Sequence, residues 1–195
     1  TLKCEITAGN EIIAITGSNG VGKTTLLRVL AGLVKLTTGS LVIGDQIIDD
    51  AATDEFVQAH HRNASMVFQN ETLLPFLTVR DNIAFPLRMF GMSRSQSREL
   101  AGDAISSHGI SNLANLLPRE LSGGQSQRVA LIRAFIRQPK LVLFDEPLSA
   151  LDEKARPELR NFLREQISAV TGYKFIVTHD RQDVEKICDR EIRLN

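Results

Sequence analysis

Between Glu11 and Leu33 the chain reads as an apolar strand, a glycine loop and a helix, in that order. Glu11 to Thr16 (Glu-Ile-Ile-Ala-Ile-Thr) is a short apolar run suited to a buried strand. It ends at Gly17, where Gly17-Ser18-Asn19-Gly20-Val21-Gly22-Lys23-Thr24 fits the phosphate-loop pattern G-x-x-x-x-G-K-[ST]. Lys23 to Leu33 then carries apolar residues at helical spacing, with Gly32 near its end. Gly17, Gly20 and Gly22 let the backbone curl so that successive N–H groups face phosphates at a helix N-terminus. Lys23 adds a mobile positive charge for the β- and γ-phosphates. The Thr24 hydroxyl is placed to ligate Mg²⁺, and Thr25 to bond a phosphate oxygen. A glycine-rich turn with a surface lysine is the bland alternative, and the flanking strand and helix argue against it.

The rest of the chain alternates in the same way. Ser40 to Ile48 is β-rich, with a Gly44-Asp45 turn between two apolar runs, and predicts a hairpin. Ala64 to Phe68 is a further short strand that closes at Gln69. From Pro75 to Pro118 the texture changes to serines, arginines and helix formers. Pro75, Pro86, Gly91, Gly102 and Gly109 act as punctuation between several short helices. Ser122-Gly123-Gly124 opens a helix from Gln125 to Arg137, whose N-terminal N–H groups and dipole would attract an anion. Leu141 to Phe144 is an apolar strand with Phe175 to Thr178 as its expected neighbour, and Glu158 to Ala169 is helical between them. Pro157 is awkward there, because proline is tolerated only near a helix start. Short strands alternating with helices imply a mostly parallel sheet covered on both faces.

Composition narrows the function. At 195 residues the chain is one domain, and its 23 basic and 23 acidic residues balance, which argues against a domain devoted to nucleic acid. Its two cysteines, Cys4 and Cys188, suit a reducing compartment and form no metal cluster. No apolar run approaches the roughly eighteen residues that span a bilayer. Thr1 to Ile13 lacks the features of a signal peptide. A membrane role must therefore come through a partner. Because the chain starts at Thr1 rather than Met, native sequence is expected ahead of it.

Four further positions invite chemistry but do not decide it alone. Asp145 ends an apolar strand, so its carboxylate emerges at the carboxyl edge of the sheet, where ligands sit and where it can hold Mg²⁺. Glu146 follows and projects differently, which makes it the candidate to polarise an attacking water; an acidic pair of this kind can equally be a strand cap. Gln69 and His179 each follow a strand, positions at which a lone glutamine is ordinarily solvated and a lone histidine ordinarily structural. His60 and His61 are adjacent and are expected to point apart as loop residues, and His108 reads as bland.

Leu121-Ser122-Gly123-Gly124-Gln125, a hundred residues after the phosphate loop, ties these together. The two stretches resemble the ATP-binding cassette family, whose ATPase subunits drive membrane transporters. The resemblance runs from about Leu2 to about Arg190, with its motifs in order. It implies a P-loop NTPase core of the α/β class, with a mostly parallel sheet flanked by helices and an antiparallel hairpin region. A single cassette domain follows, its core at about 1–69 and 121–195 and an inserted helical subdomain at about 75–120. By resemblance, Gly17, Ser18, Asn19, Gly20, Val21, Gly22, Lys23, Thr24 and Thr25 bind ATP, while Thr24, Gln69 and Asp145 hold Mg²⁺. Lys23, Gln69, Glu146 and His179 form the catalytic set. The match of Met66-Val67-Phe68-Gln69 carries Gln69, and that of Thr178-His179-Asp180 carries His179 as the switch histidine. Leu121, Ser122, Gly123, Gly124 and Gln125 cap the ATP of a second subunit, and Ser149, Ala150, Leu151 and Asp152 run along the dimer seam.

Departures from the pattern are Ser126, where many relatives have glutamine, and Pro157. The family's adenine-stacking aromatic is expected ahead of Thr1, and Tyr173 is in the wrong place to serve. Leu73 to Ile83 and Phe144 to Asp152 look most like ATPases of binding-protein-dependent importers. The expected partners are a second copy or related ATPase subunit, transmembrane permease subunits and a solute-binding protein, with no nucleic acid. The expected location is the cytoplasmic face of the membrane, peripheral through the permease. A cassette ATPase of DNA repair, chromosome organisation or translation is the alternative; such proteins carry a long coiled coil or tandem cassettes, neither visible here. Leu74 to Met92, with Phe76, Phe85, Met89 and Phe90 beside Arg80 and Arg88, is expected to form a groove for a permease helix.

Overall fold

The computed structural model describes residues 4–69 and 73–195. In chain order the elements are β1 (Ile12–Gly17), α1 (Lys23–Ala31), β2 (Ser40–Ile43), β3 (Gln46–Asp50), β4 (Glu55–Phe56) and β5 (Ala64–Val67). Then come α2 (Val79–Met89), α3 (Arg94–Ser107), α4 (Gly123–Phe135), β6 (Leu141–Asp145), α5 (Arg156–Ser168), β7 (Tyr173–Val177), α6 (Arg181–Ile187) and β8 (Arg190–Leu194). The described residues form two compact units. One runs up to Met66 and adds Pro139–Glu146 and everything from Ile167, while the other holds Val67–Gln138 and Pro147–Gln166.

The first unit is built on a five-stranded sheet of order β5-β6-β7-β1-β8, in which β6, β7, β1 and β8 run parallel. Register decides which residues share a face. Leu143 pairs with Phe175 and Phe175 with Ile13, while Asp145 pairs with Val177 and Val177 with Ile15. Alternation then sends this set to one side, where Ile13, Ile15, Leu141, Leu143, Phe175, Val177 and Leu194 pack on Leu26, Leu27, Leu30 and Ala31 of α1. Each of the larger side chains, fully buried, contributes about 1.5–3 kcal/mol. The same register brings Gly17, Asp145, Glu146, Thr178 and His179 to one sheet edge, because β1, β6 and β7 all end there. A second sheet, β2-β3-β4, is antiparallel and contains the expected hairpin.

α1 stops at Ala31, two residues short of the expected Leu33. Gly32 adopts φ 77 and its N–H bonds the carbonyls of Arg28 and Val29. Two late elements escape sequence reading. β8 reads Arg-Glu-Ile-Arg-Leu and lies at the sheet edge, where charged side chains are tolerated and blunt unwanted pairing. α6 has only seven residues, mostly polar.

The second unit is helical. Thr78 caps α2 by accepting from the Asp81 N–H at 3.2 Å, and Ser93 caps α3 by accepting from Gln96 at 3.3 Å. Asn82, wholly buried, accepts from the Leu74 N–H at 2.7 Å and donates to the carbonyls of Leu74 and Leu77, which fixes the turn before α2. The expectation of several short helices broken at Pro86 and Gly102 is corrected here. Pro86 lies inside the 11-residue α2 and Gly102 inside the 14-residue α3. Proline removes one helical hydrogen bond, and buried Val79, Asn82, Ile83, Ala84 and Leu87 hold α2 together across it. Pro157 is the second residue of α5, inside the first turn, where proline is accommodated.

Candidate active site

The phosphate loop spans Gly17 to Gly22 between β1 and α1. Gly17 has φ 146, and a Cβ there would sit 2.6 Å from the Leu194 carbonyl oxygen, so only glycine fits. Gly22, at φ 111, is the N-cap of α1 and brings no side chain to its first-turn N–H groups, and no acidic residue occupies that turn. The helix N-terminus is thus left to an anion from outside the chain. Lys23 Nζ donates to the carbonyls of Gly17 at 2.9 Å and Ser18 at 3.0 Å, which holds the ammonium over the loop. Ser18, Asn19, Gly20 and Thr25 are exposed, while Val21, Lys23 and Thr24 are half-buried.

Asp145, at the end of β6, is buried, and the Thr24 hydroxyl donates to its Oδ2 at 2.8 Å. A hydroxyl and a carboxylate held together at the phosphate loop are the hard oxygen donors that Mg²⁺ prefers, so this pair fits that ion. The next residue, Glu146, has φ 53, a left-handed conformation that costs a non-glycine residue about 1–3 kcal/mol and is found at functional sites. Its N–H donates to the Val177 carbonyl at 2.9 Å, so the turn is anchored to the end of β7. The reversal aims the carboxylate at His179, whose Nδ1 lies 2.7 Å from Glu146 Oε1. A carboxylate only accepts, so Nδ1 carries the proton and donates it. The Glu146 side chain is 13% exposed and that of His179 71%.

The loop carrying His179 is itself braced. Thr178 Oγ1 donates to buried Asp183 at 3.2 Å and accepts from the Asp180 N–H at 3.1 Å, and Asp180 Oδ1 accepts from Gln182 to open α6. Gly17, Ser18, Thr178 and His179 line a common cleft of about 540 Å³. The first unit therefore brings together the loop, Asp145, Glu146 and His179.

The other predicted residues belong to the second unit. Gln69 sits in an exposed turn just after β5. Ser122 is the N-cap of α4, with Gln125 as its reciprocal partner. The Ser122 N–H donates to Gln125 Oε1 at 2.9 Å, and the Gln125 N–H donates to Ser122 Oγ at 3.3 Å. Leu121 and Gly124 are half-buried, and Ser122 and Gly123 exposed. In the Ser149–Asp152 loop, Leu151 is buried and Asp152 Oδ1 accepts from Lys154 and Ala155 at 3.0 and 2.8 Å, ordering the approach to α5.

Several residues with roles in the site's scaffold have no motif to announce them. Gln127 donates to the Pro147 carbonyl at 2.6 Å, so α4 holds the segment after Glu146. Lys174 is buried on β7 and donates to Asn10 Oδ1 and the Val170 carbonyl. Among the other histidines one expectation fails. His60 and His61 do not point apart, since their rings lie 4.0 Å centre to centre at 54°. They occupy a short 3₁₀ turn, Ala59–His61, whose tight winding lets neighbouring side chains lean together. His108 is structural, with Nδ1 at the Ala104 carbonyl and Nε2 at Gln166.

Comparison with known proteins agrees with this geometry. The family model described as ABC transporter matches residues 2–149. The chain is 42% identical over 191 residues to the sn-glycerol-3-phosphate import ATP-binding protein UgpC of Cupriavidus metallidurans, covering 96% of this chain and 50% of that protein. It is 42% identical over 188 residues to the trehalose/maltose import ATP-binding protein MalK of Thermococcus litoralis, covering 95% and 50%. The UgpC protein of Yersinia pestis bv. Antiqua is 40% identical over 188 residues, with 96% and 51% covered. The chain spans about half the length of the curated relatives it matches. The loop, the acidic pair, the histidine and the family match lead to one conclusion: the chain belongs to the ABC transporter family.

Proposed function

We propose that the chain is the ATP-binding and ATP-hydrolysing part of a membrane importer. The observation that carries this reading is the pair of contacts at one sheet edge, Thr24 to Asp145 and His179 to Glu146, beside an uncapped helix N-terminus. The relatives' names, import ATP-binding proteins, support the direction of transport. Phosphoryl transfer asks for positioning and for positive charge where the phosphate oxygens gather charge. The loop N–H groups and Lys23 supply both for the β- and γ-phosphates. Thr24 and Asp145, joined by Gln69, would hold Mg²⁺, which when bound neutralises charge on those oxygens. Glu146 accepts the proton of the attacking water, and His179 holds its carboxylate in place.

Leu121–Gln125 would face the nucleotide of a second subunit, with Ser149–Asp152 along the seam. Among the described residues no helix is long and apolar enough to cross a membrane, so the membrane path falls to permease subunits. The relatives' names as import proteins support a solute-binding protein as a further partner and a place at the cytoplasmic face of the membrane. The helical insert of about 75–120 would carry the permease-facing surface. Exposed Phe76, Met89, Phe90 and Leu100 are apolar residues it offers.

Glu146→Gln tests the reading. It removes the proton acceptor but keeps size and hydrogen-bonding reach. We expect ATP affinity to be retained and turnover to fall by at least about a hundredfold, the scale of general-base catalysis. Near-normal turnover would remove Glu146 from this role.

A further inference from the structure

We infer that Arg62 is a positioning residue for the nucleotide site, acting through the far end of the phosphate-loop helix. The inference rests on the ATP-binding reading above. The N-terminal end of α1 has no side-chain cap and is tied down by the Lys23 contacts and the Thr24–Asp145 bond. A helix aimed at a ligand needs its other end fixed as well. The last turn of α1 leaves carbonyls without helical partners. Gly32 N–H and Leu33 N–H serve Val29 and Arg28. Arg62 adds to these by donating Nη1 to Val29 at 2.7 Å and to Leu30 at 3.1 Å.

The same guanidinium donates Nε to the Val57 carbonyl at 2.7 Å, so it bolts the helix end to the segment leaving β4. Its fit is close. A Cβ on Gly32 would lie 2.5 Å from Arg62 Nε, and the Phe56 ring lies 5.2 Å from Arg62 Cζ. Both the Arg62 side chain and that of Asp49, whose Oδ2 is 3.9 Å from Nη2, are fully buried. At that separation the Asp49 pair is an ion pair rather than a hydrogen bond, and Asp49 Oδ2 instead accepts from the Leu36 N–H at 3.0 Å. Burial lowers the Arg62 pKa and Asp49 opposes the shift. The guanidinium still stays charged, as arginine does in proteins. A fixed cation at the C-terminus of a helix also complements its dipole, whose positive end is the phosphate loop. Two roles therefore separate by partner. The carbonyl bonds set the position of α1, whereas the Asp49 pair compensates a buried charge.

The experiment measures ATP affinity by calorimetry and thermal stability in parallel, in the full chain, for wild type, Arg62→Lys, Arg62→Met and Asp49→Asn. A positioning role predicts that Arg62→Met weakens ATP binding by about fivefold, the scale of a helix-dipole interaction, at temperatures where the variant is fully folded. Arg62→Lys, which keeps charge but loses the planar fork, should recover part of that loss. Asp49→Asn should lower thermal stability and leave ATP affinity within twofold of wild type. Where Arg62→Met does not fold, the comparison of Arg62→Lys with Asp49→Asn decides the matter. Affinity unchanged in the Arg62 variants, or lost equally in Asp49→Asn, overturns the inference. Failure of the wild-type chain to bind ATP would instead overturn the functional reading beneath it.

Discussion

Gly17 shows how strictly single residues are set at this site. Its φ of 146 and the 2.6 Å approach of the Leu194 carbonyl to any Cβ exclude a side chain on two independent grounds. Gly17→Ala is expected to destabilise the fold by about 1–3 kcal/mol and to displace the loop, weakening ATP binding. Denaturant midpoints and nucleotide titration check both effects. Unchanged stability would mean that β8 yields at Leu194. The phosphate loop was legible in sequence because its pattern is local, fixing Gly17, Gly22, Lys23 and Thr24 within eight consecutive positions. Asp145 was legible because it ends an apolar strand. Arg62, Asn82 and Lys174 were not legible, because each bonds mainly to backbone groups outside any motif and no side-chain pattern records them. Gln125 lies between these cases. Its spacing from Ser122 is that of a capping box, a signal present in the sequence beside the family motif.

Among the elements, α2 carries the clearest external surface. Met89 is 61% exposed at its end, and Phe76 in the turn before it is 92% exposed, whereas Phe85 is half-buried and Asn82 and Ile83 are buried. Phe85 is thus the poorer probe of a docking surface, since a charge there would also disturb packing. Met89→Glu should leave the thermal midpoint and basal ATP turnover near wild type while reducing transport in reconstituted vesicles by about tenfold, if loss of one anchor in an apolar contact governs coupling. Normal transport by this variant would place the permease contact elsewhere. In the first unit β1, α1, β6 and β7 followed from apolar runs and glycine punctuation. Pro86 and Gly102 misled because packing overrides local propensity when one face of a helix is well buried. β8 was missed because an edge strand with alternating charge carries little apolar signal.

At the scale of the whole molecule, the phosphate loop, Asp145, Glu146 and His179 fall in one compact unit, while Leu121–Gln125 and Ser149–Asp152 fall in the other. In the proposed function a second copy would complete the site, the loop of one subunit meeting the pentapeptide of its partner. A Lys23→Ala homodimer then has two spoiled sites, and so does a Ser122→Arg homodimer. In a mixed dimer one site inherits both defects and the other inherits neither. Ser122 also caps α4, so Ser122→Arg is expected to lose about 1 kcal/mol of stability, and its folding is confirmed first. The decisive measurement is ATP-dependent dimer formation by light scattering, in a Glu146→Gln background that suppresses turnover. Each variant alone should stay monomeric with ATP, and the mixture should dimerise. A mixture that dimerises no better than either variant alone, with both folded, would contradict the proposed two-subunit site.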